Sequence, residues 1–528
     1  MQQRRKFYGW GFEGERLTAE EIEHQDRTWL AFFGCDHFEV TPDPTLDELS
    51  LPPSRLAIPS SLASLCSTEL HDRAFHTYGR AFAESVRIYN RDFSHPPDVV
   101  AYPTTQEELA QIIAWCGDLG ATAIPFGGGT SVAGGLVPAS RSVTPSVTID
   151  LEQMDRVLEV DHNSLAARIQ AGARGPVLEE QLKPHGLTLR HFMQSFEFST
   201  LGGWIATRSS GHFATLYTHI DDMVESLTVI SPAGKIETRR LPASGAGPNP
   251  NSMFLGSEGT LGVISEAWMR LHKRPTHRSS LAVRFPDFFT GARAVRRIVQ
   301  AGLHPANCRL IDGEEAAVSG TGDSKEALLL VGFESADFPV DSFGVIARDY
   351  CLEMGGKIDK ADSETAAGRW RNSFFRLPYL REYFLPRGII SDTFESAITW
   401  DCFEAFHTEV MRATREAIRQ VTGREGFVSC RLTHVYRDGP APYYTLRALG
   451  TKGQLAEQYD AIKQAAMGAV LRMGGTTTHH HAVGRAHRRW YDKERPALFA
   501  SALASAKQAL DPAGLMNPGV LFDPKGAP

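Results

Sequence analysis

The apolar positions fall into short runs up to about residue 275 and into longer periodic blocks beyond it. Leu109, Ile112, Ile113 and Cys116 recur at three- and four-residue spacing, which marks one face of a helix. Thr105, three residues before Glu108, supplies a capping box at its start. Residues 99–102 and 121–126 predict strands on either side of that helix. Residues 147–150, 157–161, 165–171 and 187–191 predict further short strands, with a helical stretch at 177–182. Segments 226–231 and 235–239 flank Pro232-Ala233-Gly234 and predict a hairpin.

After Pro275 the elements lengthen. Strands are expected at 281–285, 308–312 and 328–333, and helices near 288–301, 341–354, 402–420, 454–472 and 497–509. That alternation predicts a mixed α+β domain with a largely antiparallel sheet. Upstream of residue 93, helical pieces are interrupted by Pro42, Pro44, Pro52, Pro53 and Pro59, so this region is expected to wrap over the rest without a core of its own. Trp10, between Gly9 and Gly11, either anchors that wrap or is an ordinary packed aromatic. The expected division is a helical region at 1–92, a first α+β domain at 93–276 and a cap domain at 277–528.

Three Gly-, Ser- and Thr-rich segments interrupt the first domain. Pro125-Phe126-Gly127-Gly128-Gly129-Thr130-Ser131 follows the 121–126 strand directly. Three glycines leave no Cβ between backbone and ligand, and the hydroxyls add donors. Such a loop can aim several N–H groups at a pyrophosphate, or be only a tight turn. No Lys follows, so it is not a Walker A loop, and it lacks the G-x-G-x-x-G spacing of a dinucleotide turn. The second segment spans 199–211, with Ser199, Thr200, Gly203, Thr207, Arg208, Ser209 and Ser210. The third is Gly256-Ser257-Glu258-Gly259-Thr260-Leu261-Gly262. Together they can line a long ligand with both a pyrophosphate and a polar ring.

Composition narrows the class. The chain has 528 residues, 42% hydrophobic and 22% charged, which fits a globular protein of two or three domains. A net charge of −7 argues against non-specific nucleic-acid binding. The seven cysteines are odd in number and never spaced C-x-x-C, so neither a disulfide framework nor a zinc knuckle is expected. No apolar run approaches the ~20 residues that span a bilayer. The basic start, Met1 to Lys6, has no apolar stretch after it and is read as a solvated terminus, or as a contact for an anionic membrane face. Gly526-Ala527-Pro528 is not a Ser-Lys-Leu signal, so a cytoplasmic setting is expected.

These three segments, with the closing Asp511-Pro512-Ala513-Gly514-Leu515-Met516-Asn517-Pro518-Gly519, resemble the FAD-binding proteins of the vanillyl-alcohol-oxidase (PCMH) type. Thr476-Thr477-Thr478-His479-His480-His481-Ala482-Val483-Gly484, Arg431-Leu432-Thr433-His434 and Pro378-Tyr379-Leu380-Arg381 narrow the resemblance to the alkyldihydroxyacetonephosphate synthase family and its bacterial relatives. It runs from Trp10 to the C-terminus.

The resemblance implies non-covalent FAD, a lipid substrate and a homodimer; no metal is expected, and the basic start allows peripheral membrane contact. The resemblance also implies exchange of the acyl chain of acyl-dihydroxyacetone phosphate for a long-chain alcohol, through a flavin N5 adduct and without net redox change. No His stands within 125–131, where some relatives tether the flavin. The three segments, with Gln194 and Ser195, are the implied cofactor contacts. Tyr443 matches the family's catalytic tyrosine, a general acid or base if its pKa is brought down from ~10. His479, His480 and His481 match its triple histidine. From residue chemistry alone such a run is a proton relay, a metal site or a solvated stretch, and alternation along a strand keeps all three from one ligand. His191 matches a position near the flavin, Arg309 an arginine needed for activity and Arg381 one that binds substrate; a salt bridge is the alternative for each Arg.

After His191 the family continues with an acidic segment where this chain has Phe192-Met193-Gln194, which leaves the exact substrate open. The competing reading is an FAD-linked dehydrogenase or oxidase of a 2-hydroxy acid. Those relatives usually carry a Gly-Glu-His-Gly-like segment where this chain has His479 to Ala482. A non-enzymatic flavin scaffold fits poorly with Tyr443 beside several His and Arg.

Overall fold

The computed structural model describes residues 4–138, 144–322, 324–358 and 376–523. Met1–Gln3 and the closing 526–528, read above, lie outside these. The strands are β1 (Cys66–Ser67), β2 (Val99–Ala101), β3 (Thr122–Phe126), β4 (Ser146–Asp150), β5 (Val157–Asp161), β6 (Ala166–Gln170), β7 (Leu187–Thr188), β8 (Val224–Ser231) and β9 (Gly234–Glu237). Then come β10 (Val263–Arg270), β11 (His272–Lys273), β12 (His277–Phe285), β13 (Asn307–Ile311), β14 (Ala327–Ser335), β15 (Lys357–Ile358), β16 (Ile389–Glu395), β17 (Phe427–Val435) and β18 (Pro440–Leu449).

Two sheets share the first core. One runs β1-β2-β4-β3, with β2, β4 and β3 parallel. The other is antiparallel, β5-β6-β10-β8-β9, and contains the expected hairpin as β8 and β9. The helix Gln106–Leu119 crosses between β2 and β3 and buries Leu109, Ile112, Ile113 and Cys116. Thr105 and Glu108 form the reciprocal capping box, and Gly120 ends the helix in the left-handed conformation.

The second core is one antiparallel sheet of seven strands, β15-β12-β14-β13-β17-β18-β16. The helices Phe403–Thr422 and Leu455–Arg472 cover it with regularly spaced buried residues such as Phe406, Val410, Ile462 and Ala466.

Two expectations are corrected. The strand expected at 187–191 ends at Thr188, because the Glu179 carboxylate accepts the Leu189 N–H at 3.0 Å in place of a neighbouring strand. Arg190 then turns with φ 62° and leaves extended geometry. Nor is the basic N-terminus solvated throughout. Lys6 is buried against Glu382, with Nζ 2.7 Å from Oε2, and the Arg5 guanidinium lies 3.6 Å from the Phe198 ring centroid. The N-terminal region wraps the second sheet: Trp29 and Phe33 of the helix Ala19–Phe33 pack with Tyr383, Phe384 and Phe427.

Candidate active site

A cavity of about 790 Å³ lies between the two cores. One wall is the glycine loop: Gly127, Gly128, Gly129, Thr130 and Ser131 all line it. The N–H groups of Gly128, Gly129, Thr130 and Ser131 have no hydrogen-bond partner among the described residues. From behind, the Arg80 N–H donates to the Ser131 carbonyl at 2.5 Å, so the loop is pinned while its donors stay open. A Cβ at Gly128 would overlap the Phe198 carbonyl, and Gly129 has φ 68°. Gln194, Ser195, Ser199, Thr200, Gly203, Thr207, Ser209 and Ser210 line the same space. A row of open N–H groups beside hydroxyls is the chemistry that receives a pyrophosphate and a polar ring, so these residues fit FAD.

The segment 256–262 also ties neighbouring elements together. Neither it nor Pro125, Phe126 and Arg208 lines the cavity. Arg208 instead donates to Asp221 at 2.8 Å. Glu258, with φ 50°, accepts the N–H groups of Val483 and Gly484, each at 2.9 Å. Its carbonyl accepts from Asn517 Nδ2 at 2.8 Å, and the same amide donates to the Gly135 carbonyl at 3.0 Å. Burial pushes the Glu258 carboxyl up to about 7 against those two donors. The closing segment adds to the edge of β3, where the Ala123 N–H donates to the Leu515 carbonyl at 3.0 Å. Glu258 and Asn517 thus fix the end of the histidine run relative to the glycine loop.

The opposite wall is one face of β16, β18 and β17. Residues two apart on a strand share a face, so Tyr443, Thr445 and Arg447 line up on β18, and Phe427, Ser429, Arg431 and Thr433 on β17. The buried Tyr443 donates its phenol to Thr393 Oγ1 at 3.0 Å. Burial raises its pKa, opposed by Arg431 and by the Thr393 bond.

The histidine run arches over this wall on the Glu395 carboxylate. That group accepts the His480 and His481 N–H groups at 3.2 and 2.9 Å, the His479 N–H, and the Thr478 hydroxyl at 2.6 Å. Burial alone would raise the Glu395 pKa; the three histidines and Thr478 outweigh it and hold the group well below the carboxylate range. His480 and His481 reach the cavity, their ring centroids 5.9 and 5.3 Å from that of Tyr443. Burial lowers the two imidazoles to about 3 and about 4, opposed by Glu395, so both are neutral at pH 7.

His479 turns away from the cavity, its Nε2 2.7 Å from the Tyr436 hydroxyl. His191 stands behind the wall, with Nε2 3.0 Å from Ser209 Oγ, and Arg309 is buried on β13; neither lines the cavity. Arg381 does line it, with Nη1 3.4 Å from Ser85 Oγ. His434, His479 and His480 bring ring nitrogens within 4.8 Å of one another, a spacing that suits a metal as well as a hydrogen-bonded relay. Two of those nitrogens, Nδ1 of His479 and of His480, lie 3.0 Å apart and engage each other.

Arg431, Thr393, His434, Arg80 and Arg447 also line the cavity and were not singled out as site residues. For Arg431, His434 and Arg447 the signal in the sequence is alternation with buried partners along β17 and β18, which core residues show equally; Thr393 lies on β16, and Arg80 lies outside any strand.

This arrangement defines a flavoprotein of the FAD-linked oxidase class. Residues 97–239 match the family profile described as an FAD binding domain, and 274–521 the profile described as FAD linked oxidases, C-terminal domain. The chain belongs to the alkyldihydroxyacetonephosphate synthase family. It is 30% identical to the alkyldihydroxyacetonephosphate synthase of Caenorhabditis elegans, over 88% of this chain and 82% of the relative. It is 29% identical to that of Trypanosoma brucei brucei, over 98% and 92%. A solved alkyldihydroxyacetonephosphate synthase superposes with a TM-score of 0.83 at 24% identity, over 97% of this chain and 98% of that one, which speaks for the fold. No described helix is long and apolar enough to cross a membrane.

Proposed function

We propose that this protein is an FAD-dependent synthase that exchanges the acyl chain of acyl-dihydroxyacetone phosphate for a long-chain alcohol. The fatty acid leaves as a carboxylate, and the proton of the alcohol is released. The observation that carries the reading is the single cavity joining the glycine loop to Tyr443, His480, His481 and Arg381. Bound FAD supplies the electron-rich ring centre that the exchange needs, with no net oxidation. Arg381 takes the substrate phosphate, whose charge suits a guanidinium at the cavity wall. Tyr443, protonated at neutral pH, holds a proton at its phenol oxygen for transfer to the substrate. The neutral imidazoles of His480 and His481 accept the proton of the alcohol.

A homodimer and contact with a membrane face belong to the same reading. The exposed Leu498 and Phe499, at the start of the helix Ala497–Leu510, support the membrane contact. Light scattering of the purified protein tests the dimer, and flotation with anionic vesicles tests the contact.

The test of function incubates the FAD-loaded protein with acyl-dihydroxyacetone phosphate and labelled long-chain alcohol. Label in alkyl-dihydroxyacetone phosphate is the expected result. No label from a yellow, FAD-loaded protein would overturn the substrate assignment, and oxidation of a 2-hydroxy acid by that protein would replace it.

A further inference from the structure

The wall of the cavity continues past Tyr443 to a second cation. Arg447 follows Tyr443 by four residues on β18 and faces the same way, about 13 Å further along the strand. Its side chain is 5% exposed and lines the cavity. Of the other cavity arginines, Arg381 meets only the Ser85 hydroxyl at 3.4 Å among the described residues and is assigned above to the substrate phosphate, and the remaining three are occupied. Arg431 is paired with Glu315, Arg376 with Glu21 at 2.6 Å, and Arg80 donates to the Gly79 carbonyl at 2.8 Å. Arg447 is in no ion pair among the described residues, the Glu315 carboxylate bound to Arg431 acting on it only at longer range, and its buried Nε and Nη1 have no hydrogen-bond partner there.

Aromatic rings hold it in place. The guanidinium carbon lies 4.5 Å from the Trp29 ring centroid, 4.6 Å from that of Phe384 and 5.4 Å from that of Phe427. Ring faces stabilise the cation but accept no in-plane N–H bond of ordinary strength. The planar fork is therefore oriented and lacks a direct partner, in a place where a charge without one is costly. Burial lowers it to about 10, which leaves it charged at neutral pH. The Thr445 and Ser429 hydroxyls lie on the same wall between it and Tyr443.

We propose that Arg447 is an oxyanion subsite at the far end of the cavity, taking the carboxylate of a long-chain acid that lies along the β18 wall. A planar carboxylate matches the guanidinium fork in pairs of N–H bonds. If the exchange described above is the reaction, this subsite receives the released fatty acid away from Tyr443. That link rests on the proposed function; the binding site does not.

Calorimetry on the FAD-loaded protein tests it with decanoate, decanol and glycerol 3-phosphate. Decanoate is expected to bind the unaltered protein about tenfold tighter than decanol, the size of one charge-assisted hydrogen bond. Arg447→Met removes that preference and leaves decanol affinity and FAD content unchanged, whereas Arg447→Lys keeps part of it. Equal affinity for decanoate in Arg447→Met and the unaltered protein overturns the subsite. Loss confined to glycerol 3-phosphate overturns the carboxylate assignment in favour of a phosphate ester. Should Arg447→Met fail to fold, equal binding of decanoate and decanol by the unaltered protein is the overturning result. None of these readouts requires turnover, so failure of the synthase assay leaves them interpretable.

Discussion

The guanidinium carbon of Arg431 lies 4.1 Å from the centroid of the Tyr443 ring. Glu315 holds that guanidinium from the other side, and Ser429 donates to Glu315 at 3.0 Å, so the cation is fixed over the phenol. Burial favours the neutral phenol and Arg431 the phenolate; burial is the larger effect, and the pKa stays raised. A proton held at the phenol and an adjacent cation ready for negative charge suit an acid that gives up its proton only during reaction. Tyr443→Phe keeps the ring under Arg431 and removes only the hydroxyl bound to Thr393. Turnover is expected to fall by about 10²–10⁴, with FAD content and thermal midpoint unchanged. Product formation alongside the 450 nm flavin absorbance checks this.

The neutral imidazoles carry a pH signature. The folded values of about 3 for His480 and about 4 for His481 lie below the unfolded value of ~6.5. Their contribution to stability is therefore full above pH 6.5 and is lost as pH falls toward the folded values. Each group steepens the loss by about 1.4 kcal/mol per pH unit in that window. Urea unfolding between pH 7.5 and 5 should show the slope, and replacing both by Asn should make it shallower by the share of these two, the rest coming from other buried histidines such as His191, His272, His407 and His487. Ring C–H signals of these histidines should not titrate between pH 8 and 5.

Much of the first core is readable without coordinates, because periodicity and cap chemistry agree there. Thr105, Glu108 and the buried face of the helix 106–119 are one such case; the run of β3 into the glycine loop is another. The strands carrying Tyr443 are harder to read. β18 opens Pro440-Ala441-Pro442, a pattern that signals a loop, yet it lies between β17 and β16. The prolines fit because they occupy the start of the strand, beside the register shift between Leu432 and His434. The segment 256–262 carries a structural part that its glycines do not announce: Gly259 packs against Pro125 and Glu258 grips residues 483 and 484. Alternation with Tyr443 puts Arg447 on the cavity face of β18, but nothing local announces the rings of Trp29, Phe384 and Phe427, which come from three distant segments.

Gly128 tests whether the loop's closeness to Phe198 matters for the cofactor. A Cβ there would overlap the Phe198 carbonyl, which is backbone and cannot rotate away. Gly128→Ala must therefore push the loop toward the cavity, where its open N–H groups lie. FAD content after purification is expected to drop by at least tenfold, while far-ultraviolet circular dichroism stays unchanged. Normal flavin occupancy in this variant would show that the loop does not hold the pyrophosphate.

Glu395 sets the histidine run through its charge as well as its shape. Its carboxylate accepts three successive backbone N–H groups and the Thr478 hydroxyl, all buried. Glu395→Gln keeps the volume but turns one acceptor oxygen into an NH₂ facing those donors. The expected cost is about 2–4 kcal/mol, the range for leaving buried charge-assisted bonds unmade. The folded pKa lies well below the unfolded ~4.3, so the native contribution is complete above about pH 4.3 and is lost as pH falls below it. The gap in urea midpoint between Glu395→Gln and the unaltered protein should therefore be flat from pH 8 to 5 and close only at more acid pH. A gap that already narrows between pH 7 and 5 would mean that Glu395 is protonated in the folded protein. The histidine amides would then be held by a neutral acid, and the run would lose the fixed negative charge beneath it.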